Sequence, residues 1–101
     1  MVHHIVLWNF KETLSETEKK EAALRMKKEL EAIKEQVPGT VSLQVVTEGL
    51  TSSNKEIGLI SVFETEDALK TYQDHPAHVA AGTFVRTVTT DRACLDYESF
   101  S

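Results

Sequence analysis

The sequence predicts an α+β fold of ferredoxin-like type, with elements in the order β-α-β-β-α-β, a four-stranded antiparallel sheet, and helices on one face of it. Three observations carry this reading. Four short segments alternate side chains at the period of two that a strand requires. Two longer segments repeat apolar residues at helical period and open on capping residues. The second helical segment is broken by Pro76, so it divides into two pieces.

The first strand is expected over Ile5 to Phe10, with His4, Val6, Trp8 and Phe10 on one face and His3, Ile5, Leu7 and Asn9 on the other. Ser15-Glu16-Thr17-Glu18 is a capping box, in which the serine hydroxyl takes the amide of residue 18 and the glutamate reaches back. Ala22, Met26, Leu30, Ile33 and Val37 then form an apolar stripe, with Lys and Glu opposite, until Pro38-Gly39 ends the helix. A second strand is expected over Thr40 to Glu48, with Val41, Leu43 and Val45 on one side. The polar stretch Gly49 to Lys55 reads as a hairpin loop. Glu56 to Phe63 reads as the third strand, with Ile57, Leu59 and Phe63 opposed to Ile60 and Val62.

Thr65 caps the next helix, whose inner stripe is Ala68, Leu69 and Tyr72. A residue before proline is pushed out of helical conformation, so this helix stops by His75. Pro76 suits the first turn of a further helix running from Ala77 to about Val88. Arg92 to Glu98 is the last strand, with Ala93, Leu95 and Tyr97 alternating against Cys94 and Asp96. The tail Ser99-Phe100-Ser101 is expected to be loose.

The chain of 101 residues is expected to form a single domain, 1–101. With all helices on one face, the other face of the sheet should be polar. Here the first and third strands are apolar on both faces. A homodimer is therefore expected, packed through the sheet face away from the helices, because a second copy is the simplest cover. The net charge of −5 argues against nucleic acid and anionic membrane surfaces as partners. No run reaches the roughly 20 apolar residues of a membrane span. The N-terminus has no basic lead, and the single cysteine, Cys94, excludes an intrachain disulfide, so a cytoplasmic location is the expectation.

Chemistry concentrates in Tyr72-Gln73-Asp74-His75-Pro76-Ala77-His78 and in His4 on the first strand. His75 and Pro76 read as a structural cap, the imidazole accepting a free helix amide. His78 falls at the third position of the helix that Pro76 opens. The partial positive charge there disfavours imidazolium, and a neutral imidazole can act as a base. If the His4 face meets the helices, His4, Tyr72 and His78 converge as candidate catalytic residues, able to take a proton beside a carbonyl and stabilise an enolate. The same three also suit a purely binding role. Trp8, Met26 and Gly82 are the candidate lining of a pocket, glycine within a helix allowing close approach of a ligand or the sheet. An apolar cavity of about 300 Å³ between sheet and helices would hold such a ligand.

No metal site and no cofactor are expected. Proline places His75 outside the helix that carries His78, and His3 and His4 point to opposite faces of their strand. Arg92 reads as an ion-pair partner of Asp91 or Asp96, and Cys94 is assigned no chemistry.

Four stretches carry a family resemblance: His4-Ile5-Val6-Leu7-x-x-Phe10-Lys11, Val37-Pro38-Gly39, Phe63-Glu64 leading to Leu69, Tyr72 and His75-Pro76-x-His78, and Asp91-Arg92-x-x-x-Asp96-Tyr97. In this order and spacing the chain resembles the stress-responsive A/B barrel (Dabb) family over nearly its whole length. The resemblance implies a dimeric α+β barrel. Many members are small stress-associated proteins without an assigned reaction, and a plant branch, olivetolic acid cyclase, closes a polyketide chain by aldol condensation without a cofactor. On that branch the histidine opening the first strand falls on His4, the second histidine of His-Pro-x-His on His78, and a tyrosine on Tyr72. A further pocket tyrosine has no counterpart here, the region near Met26 being aliphatic. The function expected is thus binding of a small apolar or polyketide-like molecule. The alternative is a cofactor-free enzyme, an aldol-type cyclase or a small monooxygenase, the latter mapping loosely onto Trp8 and Asn9.

Overall fold

Residues 1–100 are described by the structure, a computed structural model, in the order β1 (Val2–Phe10), α1 (Glu16–Glu31), β2 (Thr40–Val46), β3 (Ile57–Phe63), α2 (Glu66–Asp74), α3 (Pro76–Val88) and β4 (Thr89–Glu98). Ser101, the end of the expected loose tail, lies outside the described residues. The strands form one antiparallel sheet in the order β2-β3-β1-β4, so β1 lies in the interior of the sheet and β4 is an edge.

The capping box forms as read: the Ser15 hydroxyl accepts from the Glu18 amide at 3.1 Å, and the Glu18 carboxylate accepts from the Ser15 amide at 2.9 Å. The helix ends earlier than its apolar stripe. A 3-10 segment, Ala32–Gln36, tightens the last turns, and Ile33 and Val37 still reach the core. Gly39 then takes φ +88°, and a Cβ there would stand 2.8 Å from that of Ala68. Only glycine fits this turn and this approach of α2.

The strands differ from expectation at their ends. β1 begins at Val2, because the β3 and β4 ladders both reach that residue. In β2, Val41 does not join Leu43 and Val45; the register shifts between Thr40 and Ser42 and leaves Val41 exposed. β4 follows α3 without a loop, starting at Thr89 rather than Arg92.

The even residues of β1 from Val2 to Phe10 are all buried under the helices, as are Leu59 and Phe63 of β3 and Met26, Leu30 and Ile33 of the first helical stretch. The opposite face carries rows of directly paired residues: Ile60, Ile5 and Leu95 across three strands, and Val62, His3 and Tyr97 beside them. His3 and Tyr97 stack with ring centres 4.6 Å apart. Leu95 is 61% exposed on this face. No helix among the described residues is long and apolar enough to cross a membrane.

Candidate functional site

The corner between α2 and α3 sets the site. His75 leaves helical conformation, with φ −64° and ψ 136°, and its Nδ1 accepts from the Ala77 amide at 3.1 Å. Pro76 occupies the first turn of α3, where no donor is lost. Both residues thus hold the capping positions read from the sequence. His78 then turns back onto α2, and its Nδ1 donates to the Gln73 carbonyl at 3.1 Å. That carbonyl lies in the last turn of α2, where helix carbonyls lack partners of their own. Since Nδ1 holds the hydrogen, Nε2 of a neutral ring is an acceptor. Burial pushes the His78 imidazole below its usual range, against the Gln73 bond that favours the cation, and nearby His4, Arg86 and Arg92 push it the same way.

Tyr72 lies beneath His78, ring centres 4.5 Å apart, and is completely buried. Phe63 packs at 5.0 Å and the His4 ring meets it edge-on at 6.2 Å. The hydroxyl of Tyr72 has no hydrogen-bond partner among the described residues. Burial raises the phenol above its ordinary range, so the group is a proton-bearing donor at neutral pH.

His4 is 3% exposed. Ser61, directly opposite on β3 and buried, donates to its carbonyl at 2.7 Å. On the other side His4 pairs with Asp96 of β4, and its Nδ1 contacts the Asp96 carboxylate in a short hydrogen bond. A carboxylate only accepts, so Nδ1 donates and the ring orientation is held. The Cys94 thiol lies 3.9 Å from this Nδ1 and 3.7 Å from the same carboxylate oxygen. Burial and then the Asp96 charge raise the thiol. An open recess of about 680 Å³ lies between α2 and the end of β4. Gln73 and Asp96, the partners of the two imidazoles, both line it.

His4, Tyr72 and His78 are therefore brought into one cluster from three elements. Trp8 stands four residues further along β1, roughly 13 Å away at the rise of a strand, buried in the core. Met26 is a core residue of α1. A Cβ on Gly82 would meet only the Arg86 guanidinium, at 3.2 Å, so neither sheet nor neighbouring helix presses on this glycine. Asp96 is the residue that sequence reasoning undervalued as an ion-pair partner. The alternation of the last strand already places it with Cys94 on one face, but only the β1–β4 register sets it opposite His4.

A family model described as Stress responsive A/B Barrel Domain matches residues 2–99. A solved dimeric protein of unknown function and ferredoxin-like fold from Bacteroides fragilis is 32% identical, covering 97% of this chain and 95% of that chain, with TM-score 0.89. A Dabb family protein with a ferredoxin-like fold from Mesorhizobium loti is 23% identical over 99% of this chain and 97% of that one, with TM-score 0.71. SnoaB, a cofactor-independent oxygenase from Streptomyces nogalater, is 16% identical over 99% and 93% of the two chains at TM-score 0.71, a likeness of fold alone. No curated protein matches the chain.

Proposed function

The chain belongs to the stress responsive A/B barrel domain family, and from that premise we propose that it is a homodimer in which each protomer binds a small, largely apolar molecule carrying a polar oxygen at the His4–Tyr72–His78 cluster. The observation that carries this is the Tyr72 hydroxyl, completely buried and without a hydrogen-bond partner among the described residues. A buried donor left unpaired costs about 1–3 kcal/mol, and a ligand oxygen that accepts from it recovers that cost. Phe63 and the two imidazoles offer an apolar and aromatic surround. The adjoining recess is lined by Glu66, Asp67, Asp74, Asp96 and Glu98 against the single cation Lys70, which favours a neutral ligand over an anionic one. Because the hydroxyl is not exposed, a ligand reaches it only when the packing around Tyr72 opens.

The homodimer rests on the open sheet face. Ile60, Ile5 and Leu95 form an apolar row at its centre, and a second copy related by a two-fold axis would cover it. The Bacteroides fragilis relative is itself described as dimeric.

A thermal-shift screen of neutral aromatic ketones, phenols and quinones against the wild type, Tyr72→Phe and His78→Ala tests the binding reading. A compound that stabilises the wild type and loses its effect in Tyr72→Phe supports it. Compounds that stabilise all three proteins equally overturn it.

A second reading, turnover, is favoured by the Asp96–His4 hydrogen bond beside a His78 held neutral. In that chemistry His78 Nε2 removes a proton from carbon beside a carbonyl, and the Tyr72 hydroxyl donates to the developing enolate oxygen. Fold alone does not decide between binding and turnover. Deuterium exchange at the α-carbon of a bound ketone, followed by NMR in D₂O, separates them. Turnover requires exchange that the wild type accelerates and His78→Ala does not.

A further inference from the structure

The β1–β4 ladder brings together three metal-ligating groups that sequence distance conceals. Asp96 lies directly opposite His4, and Cys94 lies two residues back on the same strand face. His4 Nδ1, Cys94 Sγ and an Asp96 carboxylate oxygen all fall within 4.8 Å of one another. We propose that His4, Cys94 and Asp96 form a binding site for a borderline-soft divalent cation of the zinc class, with three protein ligands and an open fourth position. The inference does not rest on the ligand reading above, because the cation takes Nδ1 of His4 and leaves Nε2 of the ring.

Four arguments support it. Tetrahedral zinc, with bonds of about 2.0 Å to nitrogen or oxygen and about 2.3 Å to sulfur, separates neighbouring ligand atoms by roughly 3.3–3.6 Å. The two sulfur distances, 3.9 Å to His4 Nδ1 and 3.7 Å to Asp96, are within a few tenths of that edge. Only the His4–Asp96 contact must open. There the cation replaces the shared hydrogen, and Asp96, 43% exposed on an edge strand, is free to turn.

Charge balances as well: one thiolate and one carboxylate neutralise a divalent cation, and the neutral imidazole completes the set. The mixture of sulfur, nitrogen and oxygen donors suits zinc rather than magnesium or calcium, which take oxygen. Finally, the frame is preorganised. His4 is held by its neighbours on both sides of β1, and the ladder fixes the backbone positions of the two β4 ligands. Arg92, two residues from Cys94 on the same strand face, opposes the cation there.

Cobalt(II) titration of the reduced full-length protein tests the site. One cobalt per protomer should bind and give a near-ultraviolet thiolate-to-cobalt band that equimolar zinc removes. Cys94 is exposed, so Cys94→Ser keeps the fold while abolishing the band. Asp96→Asn should weaken cobalt by more than about tenfold, whereas His3→Gln and His75→Ala should leave affinity unchanged. Absence of the band in the wild type overturns the proposal. So does a band that Asp96→Asn leaves at full affinity, since the thiol alone would then explain it.

Discussion

Replacing Tyr72 by phenylalanine should stabilise the unliganded protein, although it removes a group from the middle of the candidate site. The hydroxyl is completely buried and unpartnered among the described residues, while the ring packs on Phe63, His4 and His78. Phenylalanine keeps the ring contacts and discards the unpaired donor. An unsatisfied buried hydroxyl costs about 1–3 kcal/mol. Loss of the oxygen also leaves a small gap, whose lost contacts offset part of that gain. The net expectation is about 1 kcal/mol of added stability, which corresponds to roughly 4–8 °C in Tm for a domain of this size. Urea and thermal unfolding at one fixed protomer concentration measure it, the concentration being held because a dimer's stability depends on it. A Tyr72→Phe protein destabilised by more than about 1 kcal/mol would show that the hydroxyl makes a bond that matters, and the case for a ligand-directed donor would fail with it. Stability gained where binding is lost is the expected signature of a functional residue.

Gly39→Ala should cost about 1–3 kcal/mol, because φ +88° strains an alanine and its Cβ would meet that of Ala68 at 2.8 Å; urea midpoints measure this, and a neutral result would mean α2 shifts freely. Leu95→Lys places a charge in the apolar row of the open face, on the edge strand β4, and should shift sedimentation from dimer to monomer without loss of far-ultraviolet circular dichroism, whereas an unchanged dimer would locate the interface elsewhere. Glu31 ties α1 to β2 by accepting from Lys27 at 2.7 Å and from the Val45 amide at 2.9 Å. Burial raises this carboxyl, but the Lys27 and Val45 contacts together outweigh burial and leave it below its usual range. Its contribution is therefore present above the unfolded pKa and lost as pH falls through the folded one. Glu31→Gln should cost about 1 kcal/mol near neutral pH, and the gap from wild type should close on acidification; a gap that persists in acid would assign the loss to packing.

Much of the fold was legible because it rests on local rules. The Ser15 box, the Thr65 cap and the His75-Pro76 break each involve residues within a few positions of one another, and each forms as read. The two-faced apolar pattern of the first and third strands marked the sheet face left uncovered by helices. The misplaced details have physical causes that local rules do not see. Val41 faces away from Leu43 because the β2–β3 register shifts beside it. β1 and β4 are longer than their apolar runs because pairing partners extend them.

The candidate site divides the same way. Sequence alone determined that Tyr72 and His78 share a helix corner, that Pro76 opens α3, and that His4 stands on a strand face with Val6 and Trp8. The tertiary structure alone decided that Asp96 holds His4, that Cys94 stands within 4 Å of both, and that the Tyr72 hydroxyl goes unpaired. Residues 4 and 96 meet only through strand register, and register is a property of two distant segments at once. Whether a buried hydroxyl finds a partner depends on every element packed around it, so no window of sequence around Tyr72 contains the answer.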